Sequence, residues 1–180
     1  MAVLSDIHIE SAILNKRLLI KPFSLDNLQP ASYDVHLAGN LIKPSMHEFE
    51  PIDPENIKRE DLWVSNWTTP YTLKPGEFIL GALEEYVEIG DDLIGKLEGK
   101  SSLARLGLII HATAGYVDPG FKGYLTLELV NLGKLDLVLT EGMSIAQLSF
   151  QNLTSKVRRS YGHPELKSKH ANQIVKTPYL

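Results

Sequence analysis

Residues 111–131 read HATAGYVDPGFKGYLTLELVN, and the second half of this stretch has the alternation of a half-buried β-strand. Three leucines alternate there with three polar residues: Leu125, Leu127 and Leu129, and Tyr124, Thr126 and Glu128. The preceding Gly-Tyr-Val-Asp-Pro-Gly run collects turn-forming residues around one acid, Asp118. The stretch therefore predicts a turn followed by a strand. Alternation alone leaves open whether Asp118 and Glu128 are solvated polar residues on a β-scaffold or take part in a reaction.

Short apolar runs continue this pattern from residue 76 onward, about one every ten residues, with turn signals between them. They are EFILGALEEYVEI, LIGKLEG, LGLIIHA, YLTLELVN, LDLVLT and SIAQLSFQNL. Evenly spaced short strands are typical of a sandwich, barrel or jelly roll. We therefore expect a mostly β protein in which residues 1–180 form a single domain.

The first 75 residues are less regular. Ser5 or Asp6 would cap a short N-terminal helix over IHIESAILNKRLL, and LIKPF and SYDVHL would be short strands. Residues 43–75 are rich in Pro, Asp, Glu and Asn, so we expect an irregular excursion there with little regular structure.

Length and composition fit a soluble globular domain, with 43% hydrophobic and 22% charged residues in 180. The absence of cysteine excludes disulfides, thiolate nucleophiles and Cys-containing zinc sites. No N-terminal apolar run resembles a signal peptide, and no stretch reaches the roughly 18 uninterrupted apolar residues that a membrane span needs. We expect a cytoplasmic protein with no membrane partner.

Charge is unevenly distributed. Residues 151–180 hold six basic side chains and one acid, whereas residues 1–150 hold 12 basic and 21 acidic ones. The basic tail is either a solvated segment or one that closes over a compact anion. The acidic body disfavours a nucleic-acid partner, because phosphate contacts dominate that kind of affinity.

Several common motifs are absent. GKLEGKS at 95–101 has three residues between its glycines, where a Walker A loop needs four. The six histidines form no HxxxH pair, so we expect no zinc, and we expect His111 to be a hydrogen-bonded structural residue. There is no GxSxG nucleophile elbow and no GxGxxG.

Three segments carry a more specific signal: GKSSLARLGL at 99–108, the stretch at 111–131, and YGHPELKSKHANQ at 161–173. The first holds two cations and two hydroxyls within six residues, Lys100, Ser101, Ser102 and Arg105, which suit polyphosphate oxygens. Spacing alone would also allow a solvated helix start with a serine cap.

Together these segments resemble the dCTP deaminase branch of the trimeric deoxyuridine-triphosphatase superfamily. The resemblance extends to LSDIHIESAI, ASYDVHL, GMSIAQLSF and a closing KxxxQ at Lys169 and Gln173. It implies a dUTPase-like distorted β-barrel or jelly roll, and a homotrimer whose sites lie between subunits. It also implies dCTP and dUTP as ligands and Mg²⁺ bound through the triphosphate, and it makes dTTP a candidate inhibitor.

The resemblance implies that dCTP is deaminated by hydrolysis without zinc. Glu128 would take a proton from water attacking C4 of cytosine and pass it to the departing amine. Ser101 and the backbone around Ala114 would orient the water and the amine. Arg105 would sit against Glu128 and set its charge.

The resemblance also implies the substrate contacts. Thr126 and Leu127 would line the base pocket, and Asp118 would bind the deoxyribose 3′-hydroxyl. The triphosphate with its Mg²⁺ would be held by Lys100, Ser102, Gln147, Tyr161, Lys169 and Gln173, and Leu103 and Ala104 complete the binding segment 100–105. Lys100 stands where the family usually has arginine, and it keeps the charge without the bidentate geometry.

The Ala114-Gly115 pair bears on the product. It resembles the dUMP-forming members, whereas deaminase-only members carry a bulky histidine after the alanine. Gly115 would leave room for a second water, although a glycine also serves a tight turn. We therefore expect the reaction to continue to dUMP and diphosphate. The alternatives are a deaminase that releases dUTP, a plain dUTPase, and a catalytically silent nucleotide-binding regulatory trimer.

Overall fold

The computed structural model describes residues 2–44, 63–168, 173–176 and 178, and these are mostly β. In chain order the elements are α1 (Asp6–Leu14), β1 (Leu18–Lys21), β2 (Leu28–Gln29), β3 (Ser32–His36), β4 (Asn40–Pro44), β5 (Trp63–Thr68), β6 (Tyr71–Leu73), β7 (Phe78–Ile89), β8 (Leu93–Gly99), α2 (Ser101–Ala104), β9 (Leu108–Ile109), β10 (Tyr116–Val117), β11 (Lys122–Asn131), β12 (Leu137–Leu139) and β13 (Ser144–Asn152). Short 3₁₀ turns lie at Leu25–Asn27 and Pro164–Leu166. The predicted mostly β fold with a short N-terminal helix is confirmed.

The N-terminal helix is shorter than its sequence pattern. Ser5 is the N-cap residue, as predicted, but α1 ends at Leu14 with Asn15 as the C-cap. Lys16 then takes a left-handed conformation with φ 57°, which ends the helical path and turns the chain into β1. The described helices include none that is long and apolar enough to cross a membrane.

The strands form antiparallel sheets. One sheet has the order β5-β4-β7-β11-β9, with β1 also paired to β7, and a second has the order β10-β8-β13-β3-β2. β12 and β6 form a separate pair. Among the described strands, none of these sheets closes on itself.

The hydrophobic core draws side chains from both large sheets. Leu127 and Leu129 of β11 are fully buried, as are Tyr33 of β3 and Phe150 of β13. Burying side chains of this size stabilises the fold by about 1.5–3 kcal/mol each. Glu128, between the two leucines, is only half-buried, so the alternation predicted for β11 is confirmed.

The predicted irregular excursion over residues 43–75 is wrong where the structure can test it. Trp63–Thr68 pairs with β4 and Tyr71–Leu73 pairs with β12, while residues 45–62 lie outside the described part. Both strands are short, and Tyr71–Leu73 pairs with a strand far along the chain. The polar composition of the whole window therefore hid two short segments whose Trp, Val, Thr and Tyr residues favour β-strands and which pairing stabilises.

Candidate active site

Glu128 lies near the middle of β11, on the face opposite the core. Its Oε2 accepts a hydrogen bond of 2.7 Å from the backbone N–H of Ala112, and its own N–H donates to the carbonyl of Ile110 at 3.0 Å. Ala112 provides the only hydrogen bond to this carboxylate from the described residues. One oxygen is thus held in place while the other remains available for proton transfer, as a general base requires.

The loop before β10 brings Gly115 against His111. A Cβ at residue 115 would lie 3.1 Å from His111 Cε1 and 3.1 Å from the carbonyl oxygen of Leu97. Gly115 is also tied down, because its carbonyl accepts a hydrogen bond from the N–H of Leu97 at 2.7 Å. Ala114, beside it, is exposed. The space next to residue 115 is therefore bounded by a histidine ring and a strand backbone.

His111 differs from expectation. Its Nδ1 is buried and has no hydrogen-bond partner among the described residues, so the prediction of a hydrogen-bonded structural histidine is wrong. The ring lies against the backbone at Gly115, and no described residue brings a donor or acceptor to this nitrogen.

Asp118 and the tail meet at the turn after β10. Asp118 is exposed, and its carbonyl accepts from Phe121 N at 3.0 Å to close the turn. Tyr161 N donates to the carbonyl of Pro119 at 2.8 Å, and the Tyr161 ring lies 6.0 Å from that of Phe121. The tail residue Tyr161 is thereby bound to Pro119, the residue next to Asp118, which is the predicted sugar ligand.

Thr126, Leu127 and Gln173 lie at the same strand. Gln173 Nε2 donates to Thr126 Oγ1 at 2.9 Å. The Leu127 side chain is fully buried in the core, so only its backbone can face a base pocket. We call Ala114, Gly115, Asp118, Thr126, Leu127, Glu128, Tyr161 and Gln173 the β11 group. Lys169 lies outside the described residues.

The remaining predicted residues form a second set around α2, a single helical turn. Lys100 is its N-cap residue, and Ser101, Ser102, Ala104 and Arg105 are exposed while Leu103 packs against the core. Gln147 of β13 stands opposite Glu98 of β8, two residues before Lys100. We call Lys100–Arg105 and Gln147 the α2 group.

Arg105 does not pair with Glu128 within this chain. Among the described residues the Arg105 side chain forms no hydrogen bond or ion pair, and the Glu128 carboxylate is bound by Ala112 alone. The predicted contact between Arg105 and Glu128 is therefore absent within this chain.

A scan against protein-family models matches residues 3–153 to the family described as dCTP deaminase-like. The chain belongs to the dCTP deaminase-like family. Curated relatives named "dCTP deaminase, dUMP-forming" include one from Tropheryma whipplei strain Twist, 43% identical over 99% of this chain and 92% of its own length. One from Mycolicibacterium smegmatis is 43% identical over 98% of this chain and 94% of its own length. One from Streptomyces coelicolor is 43% identical over 95% of this chain and 91% of its own length.

Solved structures agree on the fold of this dCTP deaminase-like chain. The 2′-deoxycytidine 5′-triphosphate deaminase from Agrobacterium tumefaciens superposes with a TM-score of 0.66 at 22% identity, over 83% of this chain and 48% of the other. This chain therefore spans about half the length of that protein. The EIAV dUTPase superposes with a TM-score of 0.51 at 19% identity, over 79% of this chain and 93% of the dUTPase chain. The dUTPase-like fold expected from the sequence is confirmed.

In this dCTP deaminase-like chain, β3 contributes residues to which the sequence interpretation assigned no role. Asp34 forms an ion pair with Lys100, and Ser32 Oγ donates to Gln147 Oε1 at 3.1 Å. The alternation in SYDVH puts Ser32 and Asp34 on one face of β3, and this shared face was visible in the sequence. The partner of Ser32 is 115 residues away and that of Asp34 is 66 residues away, and a local pattern does not reveal such partners.

The donor set of the dCTP deaminase-like chain bears on the metal. The described residues contain no group of three or more His, Cys, Asp or Glu arranged to hold a metal ion. The α2 group instead offers an ammonium, a guanidinium and two hydroxyls, which suit phosphate oxygens. This chemistry fits a Mg²⁺ ion that arrives bound to a triphosphate.

Proposed function

We propose that this protein hydrolyses the 4-amino group of dCTP and then converts the product to dUMP and diphosphate, as a cytoplasmic homotrimer that supplies dTTP precursors. Two findings support the reaction class: the chain belongs to the dCTP deaminase-like family, and relatives named "dCTP deaminase, dUMP-forming" match it over nearly its full length. The observation that carries the proposal is the Glu128 carboxylate, half-buried on β11 with one oxygen held by Ala112 N–H.

In the first step Glu128 acts as base and then as acid. It takes a proton from the water whose oxygen attacks C4 of cytosine, giving a tetrahedral intermediate. The same proton passes to the amino nitrogen, the C4–N bond breaks and ammonia leaves. The second proton of the attacking water ends on N3 of the base as the C4 carbonyl forms, so that dCTP and water yield dUTP and ammonia. We propose this route without zinc, because a carboxylate in a partly desolvated position can activate the water itself.

Arg105 would hold Glu128 in its charged form between turnovers, and Ser101 would orient the water. Both are exposed members of the α2 group, and their side chains have no hydrogen-bond partners among the described residues. Their exposure supports a role toward a group outside their own chain. In the trimer that we propose, the α2 group of one subunit would face the β11 group of its neighbour.

Binding would be divided in the same way. Asp118 would accept the 3′-hydroxyl, and Thr126 with the backbone of Leu127 would line the base pocket. The triphosphate would be bound by Lys100, Ser102, Gln147, Tyr161, Lys169 and Gln173. Mg²⁺, held by phosphate oxygens, would neutralise charge on the triphosphate.

In the second step a water attacks the α-phosphorus of dUTP and the bond to the bridging oxygen breaks, which yields dUMP and diphosphate. This water needs room beside residue 115. The close approach of His111 and Leu97 to that position supports the view that any side chain there would fill it. Ala114-Gly115 is therefore the proposed determinant of the dUMP product.

The test is to incubate the purified protein with dCTP and Mg²⁺ and to measure ammonia, dUTP and dUMP with time. We expect ammonia and dUMP in equal amounts, and a parallel reaction without Mg²⁺ serves as the control. Ammonia with dUTP as the only nucleotide product would limit the enzyme to deamination. Hydrolysis of added dUTP without ammonia from dCTP would contradict the deaminase assignment, and binding of dCTP without either product would indicate a regulatory protein.

A further inference from the structure

Residues 173–176 lie along β11, next to the β11 group. Gln173 forms a parallel bridge with Gly123, and its carbonyl oxygen accepts a hydrogen bond of 2.9 Å from Tyr124 N. Gly123 allows this approach, because a Cβ there would lie 2.7 Å from the carbonyl oxygen of Gln173. The Gln173 side chain donates to Thr126 at 2.9 Å. The backbone contact thus sets where Gln173, a proposed triphosphate ligand, lies on the polar face of β11.

Three residues later, Lys176 contacts three strands. Its Nζ forms an ion pair with Glu84 of β7 and lies 6.0 Å from the centroid of the Tyr124 ring on β11. Its carbonyl oxygen accepts a hydrogen bond of 3.2 Å from Asn40 Nδ2 of β4. The hydrogen bond that Lys176 donates to Glu84 raises the pKa of Lys176, so the ammonium is charged at neutral pH. Lys176 is therefore the most connected residue of this segment.

The position of Glu84 results from an irregularity between β7 and β11. Tyr86 of β7 pairs with Tyr124 of β11, and Ala82 pairs with Thr126. Three residues of β7, 83–85, therefore lie opposite the single residue 125 of β11. The outer two of these three, Leu83 and Glu85, are buried, and Glu84 between them is partly exposed.

Glu84 is a carboxylate that needs a cation. Its side chain is 29% exposed and its Oε2 is buried without a hydrogen-bond partner among the described residues. A carboxylate shielded from water in this way is costly unless a positive group pairs with it. The irregularity in β7 therefore creates a docking point for a positively charged side chain beside Tyr124.

We propose that Glu84, Tyr124 and Lys176 form a latch that fixes the tail on β11 and so positions Gln173 against the substrate, an inference that rests on the proposed function. These are positioning residues and do not touch the reacting atoms. Opening the latch would weaken the ground state and the transition state equally, because Gln173 acts on the triphosphate rather than on C4. The KM for dCTP would then rise while kcat stays nearly unchanged.

The experiment compares Lys176→Met, Glu84→Gln and the charge-exchanged double variant Glu84→Lys/Lys176→Glu with the wild type. Lys134→Met is the matched control, because it removes an exposed lysine from the turn after β11 with the same change in net charge. Two quantities are measured: amide hydrogen exchange of Tyr124 by NMR, which reports its hydrogen bond to Gln173, and the KM and kcat for dCTP.

We expect faster Tyr124 exchange and a KM raised about three- to tenfold in both single variants, as for an ion pair of this exposure. The double variant should recover part of both effects, and Lys134→Met should show neither. Unchanged Tyr124 exchange in both single variants would overturn the latch. Faster exchange with an unchanged KM would overturn its role in positioning Gln173. If the wild type does not turn over dCTP, the proposed function fails, and the Tyr124 exchange still decides whether the latch exists.

Discussion

At Glu128, replacement of the carboxylate by an amide would separate proton transfer from substrate binding. In Glu128→Gln the side-chain oxygen can still accept from Ala112 N–H, so the position of the side chain is kept. The amide cannot take a proton from water, so we expect ammonia release to fall by about 10²–10⁴-fold. Calorimetric titration with dCTP should still show binding. Turnover close to that of the wild type would show that another group is the base.

At Gly115, one added methyl group would test which product is formed. The new Cβ of Gly115→Ala would lie 3.1 Å from His111 Cε1 and from Leu97 O, closer than most Cβ contacts. We expect it to take the space of the second water, so that dUTP accumulates while ammonia is released at nearly the wild-type rate. Thermal unfolding of the same samples shows whether the fold is kept. An unchanged proportion of dUMP would remove Gly115 as the determinant of the product.

Single residues also show what sequence could and could not predict. Alternation placed Glu128 on the polar side of β11 beside the buried Leu127, because a strand repeats every two residues. The pairing of Asp34 with Lys100 had no local signal, because sheet register joins residues far apart in sequence. Nδ1 of His111 has no hydrogen-bond partner in the part of the chain that the structure describes, and this depends on how one loop folds against Leu97, which no period encodes.

At the scale of elements, a cluster of three side chains joins β4 and β6 to the residue just before β7. Lys43 forms an ion pair with Glu77, Tyr71 Oη donates to Glu77 Oε1 at 2.6 Å, and Lys74 N donates to Oε2 at 2.8 Å. We expect Glu77→Gln to lower the free energy of unfolding by about 1–3 kcal/mol, because the hydrogen bonds lose a charged acceptor. Urea unfolding measures the loss, and Glu10→Gln, whose side chain has no hydrogen-bond partner among the described residues, is the control.

The same cluster predicts a pH dependence. Burial alone would raise the pKa of Glu77, but the hydrogen bonds from Lys43, Tyr71 and Lys74 outweigh it and lower the pKa below the usual glutamate value. A lowered pKa stabilises the fold fully above its unfolded value, and this stabilisation is lost as the pH falls through the folded value. The difference between wild type and Glu77→Gln should therefore be largest at neutral pH and shrink below about pH 4. A difference that stays constant into acid would contradict this assignment.

Elements were predicted unevenly for a physical reason. The six apolar runs after residue 76 each contain a strand, because each buries one face against the core. Trp63–Thr68 and Tyr71–Leu73 were missed, because they are short β-forming segments inside a window whose overall composition is that of a loop, and they are held by pairing with β4 and β12. The irregularity in β7 was not predicted either, since it is a property of the pair β7 and β11 rather than of one strand.

For the whole molecule, the fold places the two groups of the proposed site, the α2 group and the β11 group, on different sheets. α2 follows β8 of the five-stranded sheet, while Glu128 lies on β11 of the other large sheet. Among the described residues the Arg105 side chain has no partner, and the Glu128 carboxylate is bound only by the backbone N–H of Ala112. A site that needs both groups would be complete where the surfaces of two subunits meet.

Complementation between two inactive variants tests this arrangement. Ser101→Ala damages the α2 group and Glu128→Gln damages the β11 group, so each variant alone should be nearly inactive. We expect trimers that carry both, obtained by co-expression with two affinity tags and tandem purification, to regain about one third of wild-type deamination, because one interface in three then combines two intact groups. Trimers that carry the same variant under both tags are the control. Mixed trimers as inactive as this control would mean that each site is built within one chain.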